Sequence, residues 1–260
     1  MRFDLNISLQ YQLFQPTDLL LQIEAAHLPD QQVQHANINV INPILFERVP
    51  GNDGIGERIW VRCDGVFDCY YRARVDVDRQ AEDISQLASI APHKLPADTL
   101  RYLMPSRFCP ADRFQPLVAA DFGNIQGGAL VAKMRDWIFR NIQYVSGSSG
   151  PQTTALDTYM QRQGVCRDFA HLLICLVRAA AIPARFASVY APGVTPQDFH
   201  AVAEVYLEGG WHLVDATGMA TADTIARIGV GLDAADTSFL SGFGAMGLMQ
   251  QTVDVTIVDG

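Results

Sequence analysis

Residues 165–181 of this 260-residue chain read Val-Cys-Arg-Asp-Phe-Ala-His-Leu-Leu-Ile-Cys-Leu-Val-Arg-Ala-Ala-Ala, with formal charges only on Arg167, Asp168 and Arg178. A helix that is apolar on nearly every face has no side to turn to water and belongs in a protein interior. Its ends are marked. Gly164 breaks what precedes it, and Ile182-Pro183 stops it, because the residue before a proline is pushed out of the α region. The rest of the chain must wrap this helix. Cys166 then falls in the first turn, where unpaired backbone N–H groups and the positive end of the helix dipole provide a setting that in general favours a thiolate. Cys175, deeper in the same run, reads instead as a small buried hydrophobe.

The chain is long enough to bury a sizeable core, as one large domain or two modest ones. Its 49% hydrophobic and 18% charged residues are those of an ordinary soluble globular protein. A formal charge of −9, spread without a basic cluster, argues against nucleic acid or an anionic membrane as partner. Five cysteines make an odd count without CxxC spacing, and no charged segment followed by an apolar one opens the sequence. The expectation is a reducing, cytoplasmic protein. The apolar stretch 172–177 is too short, and too soon interrupted by Arg178, to span a bilayer.

β-Structure is expected first. Over 2–11, Phe3, Leu5, Ile7, Leu9 and Tyr11 alternate with polar neighbours, the period-2 pattern of a half-buried strand. Further strands are expected over 19–25, 34–41 and 57–63, and Asp64-Gly65 signals a hairpin turn into a strand carrying Tyr71, Ala73, Val75 and Val77. In such a hairpin Cys63 pairs with Val66 and cannot face Cys69, so no disulfide is expected there. Short strands with regular turns predict an antiparallel β-sandwich over residues 1–80. Residues 81–125, with five prolines, read as a surface connector holding short helical pieces. From Gly128 the period turns helical, with Leu130, Met134, Trp137 and Ile138 on one face. A second helix is expected from Thr154, capped by Asp157, to Gly164. A core unit over 126–222 then gives way to a C-terminal segment, 223–260, whose end alternates at Val253, Val255 and Ile257.

Beyond Pro183, a short apolar strand over 184–190 leads through a loop to 199–207, which puts His200, Val202, Glu204 and Tyr206 on one face. Gly209-Gly210 turns the chain into a return strand with Trp211, Leu213, Asp215 and Thr217 on one face. A cysteine nucleophile needs a base to handle its proton, and the base needs a third group to fix its tautomer. His200 and Asp215 lie on strands expected to pair, so register decides whether they touch. A two-residue turn at Gly209-Gly210 would set Asp215 opposite Glu204, roughly 13 Å along the strand from His200. Facing His200 requires Val205 opposite Gly210 around a four-residue loop, 206–209, or a bulge giving the same register. That departure is the expectation.

Four blocks stand in order: Gly164-Val165-Cys166-Arg167-Asp168-Phe169-Ala170-His171-Leu172, Ala181-Ile182-Pro183-Ala184-Arg185, His200-Ala201-Val202-Ala203-Glu204-Val205, and Gly210-Trp211-His212-Leu213-Val214-Asp215-Ala216-Thr217. Over roughly residues 125–220 they resemble the bacterial transglutaminase-like superfamily, whose members are often described as candidate cysteine proteases. The resemblance implies an α+β fold: a papain-like core, with a central helix packed on an antiparallel sheet, beside an N-terminal β-sandwich. It also implies Cys166 as nucleophile, His200 as general base and acid, and Asp215 as orienter. The family often carries Trp where Val202 stands and Pro where Ala216 stands, departures expected to alter the substrate groove.

The Cys166 backbone N–H is a natural oxyanion donor at a helix start, and Gln152, Gln161 and Gln163 are candidates for a side-chain partner. Asp168 reads as a helix-dipole partner, His171 as an interior histidine, His212 as structural and Trp211 as core. Glu204 reads either as a support behind His200 or as an ion-paired carboxylate. Cys166, His171, His200 and Asp215 lack metal-ligand spacing, and the chemistry requires no metal or organic cofactor. The expected activity is acyl transfer from an amide through a thioester, completed by water as in a peptidase or amidase, on a peptide or protein substrate. Transfer to an amine, as in protein crosslinking, and a non-catalytic peptide-binding groove are the alternatives.

Overall fold

Strict alternation along the first strand commits the N-terminal half to sheets that face each other. In the computed structural model, which describes residues 1–258, this half holds β1 (Arg2–Leu13), β2 (Thr17–Leu21), β3 (Gln31–Val40), β4 (Leu45–Pro50), β5 (Glu57–Cys63) and β6 (Val66–Val77). Phe3, Leu5, Ile7 and Leu9 of β1 and Phe67, Tyr71 and Val75 of β6 share one apolar interior with Leu19, Leu21, Ile59 and Val61 of the facing sheet. Asp64-Gly65 does not close a hairpin. β5 pairs with β2 and β4, whereas β6 pairs with β1 and β3, so the turn carries the chain from one sheet to the other. Cys63 and Cys69 therefore both point into the shared interior, as free thiols. β4 is exposed along most of its length and pairs with β5 at a sheet edge, which is why it carries no alternation.

The remaining elements are α1 (Gln115–Phe122), α2 (Gly127–Asn141), β7 (Gln143–Tyr144), α3 (Ala155–Gln161), β8 (Gln163–Gly164), α4 (Cys166–Ala179), β9 (Ala184–Tyr190), β10 (His200–Leu207), β11 (Gly210–Val214), β12 (Ala226–Gly231), β13 (Leu240–Gly242) and β14 (Met246–Ile257). α4 is the apolar run, and every residue from Asp168 to Arg178 is buried. Ala201, Ala203, Val205 and Leu207 of β10 cover one side of it, and Val131 and Met134 of α2 with Phe114 and Val118 cover others. Each buried leucine contributes about 1.5–3 kcal/mol by leaving water. At its end Ala181 takes a left-handed φ of 58° and the Ile182 N–H donates to the Val177 carbonyl at 3.2 Å, the usual way a helix closes its last carbonyls. The sheet beneath is antiparallel, in the order β11-β10-β9-β12. The chain is thus an α+β protein, with a central helix on an antiparallel sheet beside a β-sandwich.

Two segments differ from expectation. Residues 81–125 are not a surface strap: Tyr102, Cys109, Phe114 and Phe122 are buried, the last three in the apolar cluster around α4. Proline frequency hides this, because the apolar residues between the prolines follow no period. The C-terminal segment is divided among three sheets. β12 edges the core sheet, β13 pairs with β2, and β14 runs along β1 from Phe3–Ile257 to Leu13–Met246. The sandwich sheets are therefore β14-β1-β6-β3 and β13-β2-β5-β4. Asp259 and Gly260, the end of that segment, lie outside the described residues.

Tyr190, Phe199, Ala226 and Ile228 from the helical half enter the sandwich interior, and the Tyr190 hydroxyl donates to the Ile23 carbonyl at 2.6 Å. Beside this junction, fully buried Glu204 accepts from Arg185 Nε at 2.7 Å and Arg227 Nη1 at 3.0 Å. Arg227 forks onto Asp30, and Arg185 reaches Asp53 at 2.7 Å. Glu204 is thus an ion-paired carboxylate linking the two halves. Charges this deep are tolerated only while each keeps its partner. Glu204→Ala is expected to lower stability by about 3–5 kcal/mol in urea unfolding, whereas Arg2→Ala, at an exposed pair with Asp76, leaves the midpoint close to wild type. An unchanged midpoint for Glu204→Ala would contradict this.

Candidate active site

Cys166 opens α4 half-buried, and the two short strands before it set its surroundings. β7 and β8 pair in parallel with Tyr144 opposite Gly164, and the Val145 N–H donates to the Gly164 carbonyl at 3.0 Å. Asp168 folds back over the helix start, where its Oδ2 accepts from the Val165 N–H at 2.9 Å. A Cβ on Gly164 would stand 2.7 Å from the Asp168 Cβ, so the clasp needs glycine there. Asp168 is fully buried and serves the helix end, as its position in the first turn suggests.

His200 and Asp215 meet without the expected loop. β10 and β11 pair Leu207 with Gly210 and Ala203 with Val214, across a tight turn in which Glu208 and Gly209 have φ of 49° and 88°. Such a turn follows the strand twist and needs no extra residues. Extended by one residue, this register sets Asp215 opposite Val202, on the His200 face and two residues away. β11 ends at Val214, and a diagonal pair of long side chains closes the remaining gap. His200 Nε2–H donates to Asp215 Oδ2 at 2.9 Å, with both side chains buried.

Asp215 is held by more than the histidine. The Thr217 N–H and O–H each donate to Oδ1 at 2.7 Å, and the Ala220 N–H donates to Oδ2 at 3.0 Å. Burial pushes this carboxyl up, but the bond and charge of His200 and the Thr217 donors outweigh it and hold it below the usual carboxylate range. For His200, burial works downward, and the hydrogen bond and charge of Asp215, with the nearby Cys166 sulfur, outweigh it, holding the ring at about 10. The imidazole is therefore a cation at neutral pH. Its Nδ1 is buried with no hydrogen-bond partner, and the Cys166 sulfur, 3.9 Å from the Phe199 carbonyl, lies alongside.

Tyr144 completes the surroundings of the sulfur. Burial, followed by the neighbouring Cys166, pushes its hydroxyl up to about 12, so it remains neutral. Its ring rests 5.9 Å from that of Phe169. Gln152, Gln161, Gln163 and Tyr144 line no part of the cleft described next, but Tyr144 is the one of the four whose side chain neighbours Cys166 closely enough to feel it.

Cys166 and His200 open onto a cleft of about 550 Å³, walled by segments far apart in sequence, among them Phe108, Phe186, Phe199 and Phe239. Buried His171 holds two of these walls. Its Nε2 accepts from the Ala234 N–H at 3.1 Å, its ring stacks on Phe108 at 5.3 Å, and burial lowers it to about 3, so it stays neutral. Arg178 donates to the Ala184, Met104 and Leu232 carbonyls, fastening the loops on either side. Val202 and Ala216 are buried and face no cleft, so those departures from the family pattern are absorbed in the interior and do not alter the groove. His212 turns away to Glu82, and Trp211 is not core but a half-exposed cover 4.1 Å over the Arg185 guanidinium. Among the described residues no helix is long and apolar enough to cross a membrane.

Known proteins resemble this chain in sequence and fold. The family model described as the Transglutaminase-like superfamily matches residues 123–216. A solved structure of a candidate cysteine protease from Cytophaga hutchinsonii is 34% identical and superposes with a TM-score of 0.92, covering 100% of this chain and 91% of that one. An uncharacterised protein of Mycobacterium leprae strain TN is 31% identical over 122 residues, a match spanning 44% of this chain and 43% of that relative's length.

A group whose pKa rises on folding stabilises the fold fully below its unfolded value and loses that contribution as pH climbs through the folded value. The His200–Asp215 pair therefore contributes in full below the ordinary histidine range and fades as pH approaches about 10. Stability is expected to decline between neutral pH and that point, and Asp215→Asn should flatten the decline and lower the His200 titration, followed by ring NMR, by at least about one unit. A His200 midpoint unmoved in Asp215→Asn would contradict the assignment.

Proposed function

Because the chain belongs to the transglutaminase-like superfamily, we propose that it is an enzyme that takes acyl groups from amides through Cys166, His200 and Asp215, and that water is its usual acceptor. The observation that supports this reading most directly is His200, held as a cation between Asp215 and the Cys166 sulfur. Residues 126–222 are the catalytic core of this proposal, with cleft walls supplied from outside it. The described family neighbour from Cytophaga hutchinsonii, a candidate cysteine protease, is in keeping with the same chemistry.

In the first half-reaction the Cys166 sulfur attacks the amide carbonyl as a thiolate. Negative charge moves onto the carbonyl oxygen, which takes hydrogen bonds from the Cys166 backbone N–H and the Tyr144 hydroxyl. The carbon–nitrogen bond breaks as His200 Nδ1 gives its proton to the departing amine, leaving a thioester on the sulfur. Water then enters, gives a proton to the neutral Nδ1, and its oxygen displaces the sulfur. Cys166 leaves as thiolate and His200 is again a cation. Asp215 stays ionised throughout, keeping the Nε2–H bond and therefore the ring's orientation. The peptide or protein substrate meets this chemistry in a reducing, cytoplasmic setting, in keeping with five free thiols.

Incubation with a mixed peptide library in heavy-oxygen water, with monodansylcadaverine in a parallel reaction, tests the proposal. New carboxyl ends carrying the heavy oxygen are expected, absent in Cys166→Ala and reduced about 10²–10⁴-fold in His200→Ala. Tyr144→Phe should lower kcat by about 10²–10³-fold if its hydroxyl holds the oxyanion. Dansyl incorporation without hydrolysis would make the protein a transferase, and neither product from wild type would overturn the enzyme reading in favour of a peptide-binding groove.

A further inference from the structure

The two arginines of the cleft wall gather on a single ring. The Arg107 guanidinium lies 4.9 Å, and that of Arg167 5.9 Å, from the centroid of Phe108. Phe108 is itself fixed, stacked on the buried His171 ring at 5.3 Å, with its backbone N–H donating to Asp233 at 2.8 Å. Arg107 is exposed and has no ion-pair partner among the described residues. Arg167 donates through Nη2 to Ser149 Oγ at 2.5 Å and the Gly150 carbonyl at 2.7 Å, and its Nε is buried with no hydrogen-bond partner. It also donates to Asp168 Oδ1 at 3.4 Å, a long contact with a carboxylate whose other oxygen, Oδ2, accepts from the Val165 N–H at the helix start.

Among the described residues no aspartate or glutamate lines the cleft, in a chain with 28 acidic and 19 basic residues. The charge balance of the whole protein is thus reversed at this wall. Another part of the wall is apolar, where Phe199 and Phe239 stack face to face at 4.3 Å. A guanidinium laid against an aromatic ring keeps its N–H fork directed outward, and that fork matches a carboxylate. A concave, partly desolvated wall concentrates the resulting field.

We infer that the cleft selects amides bearing a carboxylate beside the scissile bond, the carboxylate held by Arg107 and Arg167 and an apolar neighbour by the Phe199–Phe239 wall. This selection rests on the acyl-transfer reading of Cys166. A neutral analogue would leave Arg107 without a counter-charge and Arg167 with only its long contact to Asp168, so discrimination lies in the charge and not in the size of the group.

The probes are iodoacetate and iodoacetamide, which transfer the same carbon to sulfur with loss of iodide and differ in charge. The ratio of their rate constants at Cys166, mapped by mass spectrometry, divides out the reactivity of the thiol itself. A ratio about tenfold above that of glutathione is expected in wild type. His200 also attracts an anion, so the arginine variants decide: Arg107→Gln should lower the ratio at least about threefold, and Arg107→Gln with Arg167→Gln should lower it further. Arg107 is exposed, so its variant does not depend on the loop that Arg167 supports. A ratio unchanged by either variant overturns the carboxylate site. Fast iodoacetamide labelling with an arginine-independent ratio removes this site alone, whereas slow labelling with an arginine-dependent ratio keeps it and counts against the acyl-transfer reading.

Discussion

A helix without a solvent face must satisfy every polar group it carries against protein, and α4 uses that requirement to assemble a cleft. Asp168 clasps the backbone just ahead of Cys166, His171 fixes Ala234 and stacks on Phe108, and Arg178 gathers the carbonyls of Met104, Ala184 and Leu232. Each bond is made because the alternative is a buried polar group without a partner, which costs about 1–3 kcal/mol or more when charged. The apolar faces position the helix against β10, and its few polar groups position the walls around its open end. Cys166 is left half-buried at that end, the one place where the helix meets the cleft.

His200 and Asp215 show the same balance in electrostatic form. Burial opposes both charges, and their mutual hydrogen bond and attraction outweigh it. Together they remain ionised because Asp215 also accepts from Thr217 and Ala220, so the carboxylate does not rely on the histidine. The chain just beyond β11 supplies all these donors, which places the acid and its supporting groups in one short turn. The Arg185–Glu204–Arg227 chain, centred four residues after His200 on β10, is separate, and its role is to join the sandwich to the core.

What a single sequence reveals here follows from periodicity. α4, β1 and β5 are legible because each has an unbroken pattern and clear stops at Gly164, Pro183 or a turn pair. Cys166, His200 and Asp215 are legible as residue types in ordered blocks, but the His200–Asp215 register is not. The turn falls on Glu208-Gly209, one residue earlier than the glycine pair suggests, and Asp215 stands past the end of pairing. Tyr144 sits on a two-residue strand, too short for any period to mark it. The walls from 104–109 and 232–239 are irregular chain fixed by α4, so their place in the cleft is a tertiary fact. Asp64-Gly65 illustrates the converse: a local turn signal is present, yet it joins two sheets and not two paired strands.

The dependence of Cys166 on His200 is the claim on which the functional reading stands. Brief exposure to limiting iodoacetamide near neutral pH, followed by mass-spectrometric mapping of all five thiols, measures it directly. In wild type Cys166 should be labelled first, ahead of buried Cys109 and Cys175, and His200→Ala should slow it by about 10²-fold or more. Labelling of Cys166 at the same rate in His200→Ala, or no faster than at Cys109 and Cys175 in wild type, would contradict an activated nucleophile at this site.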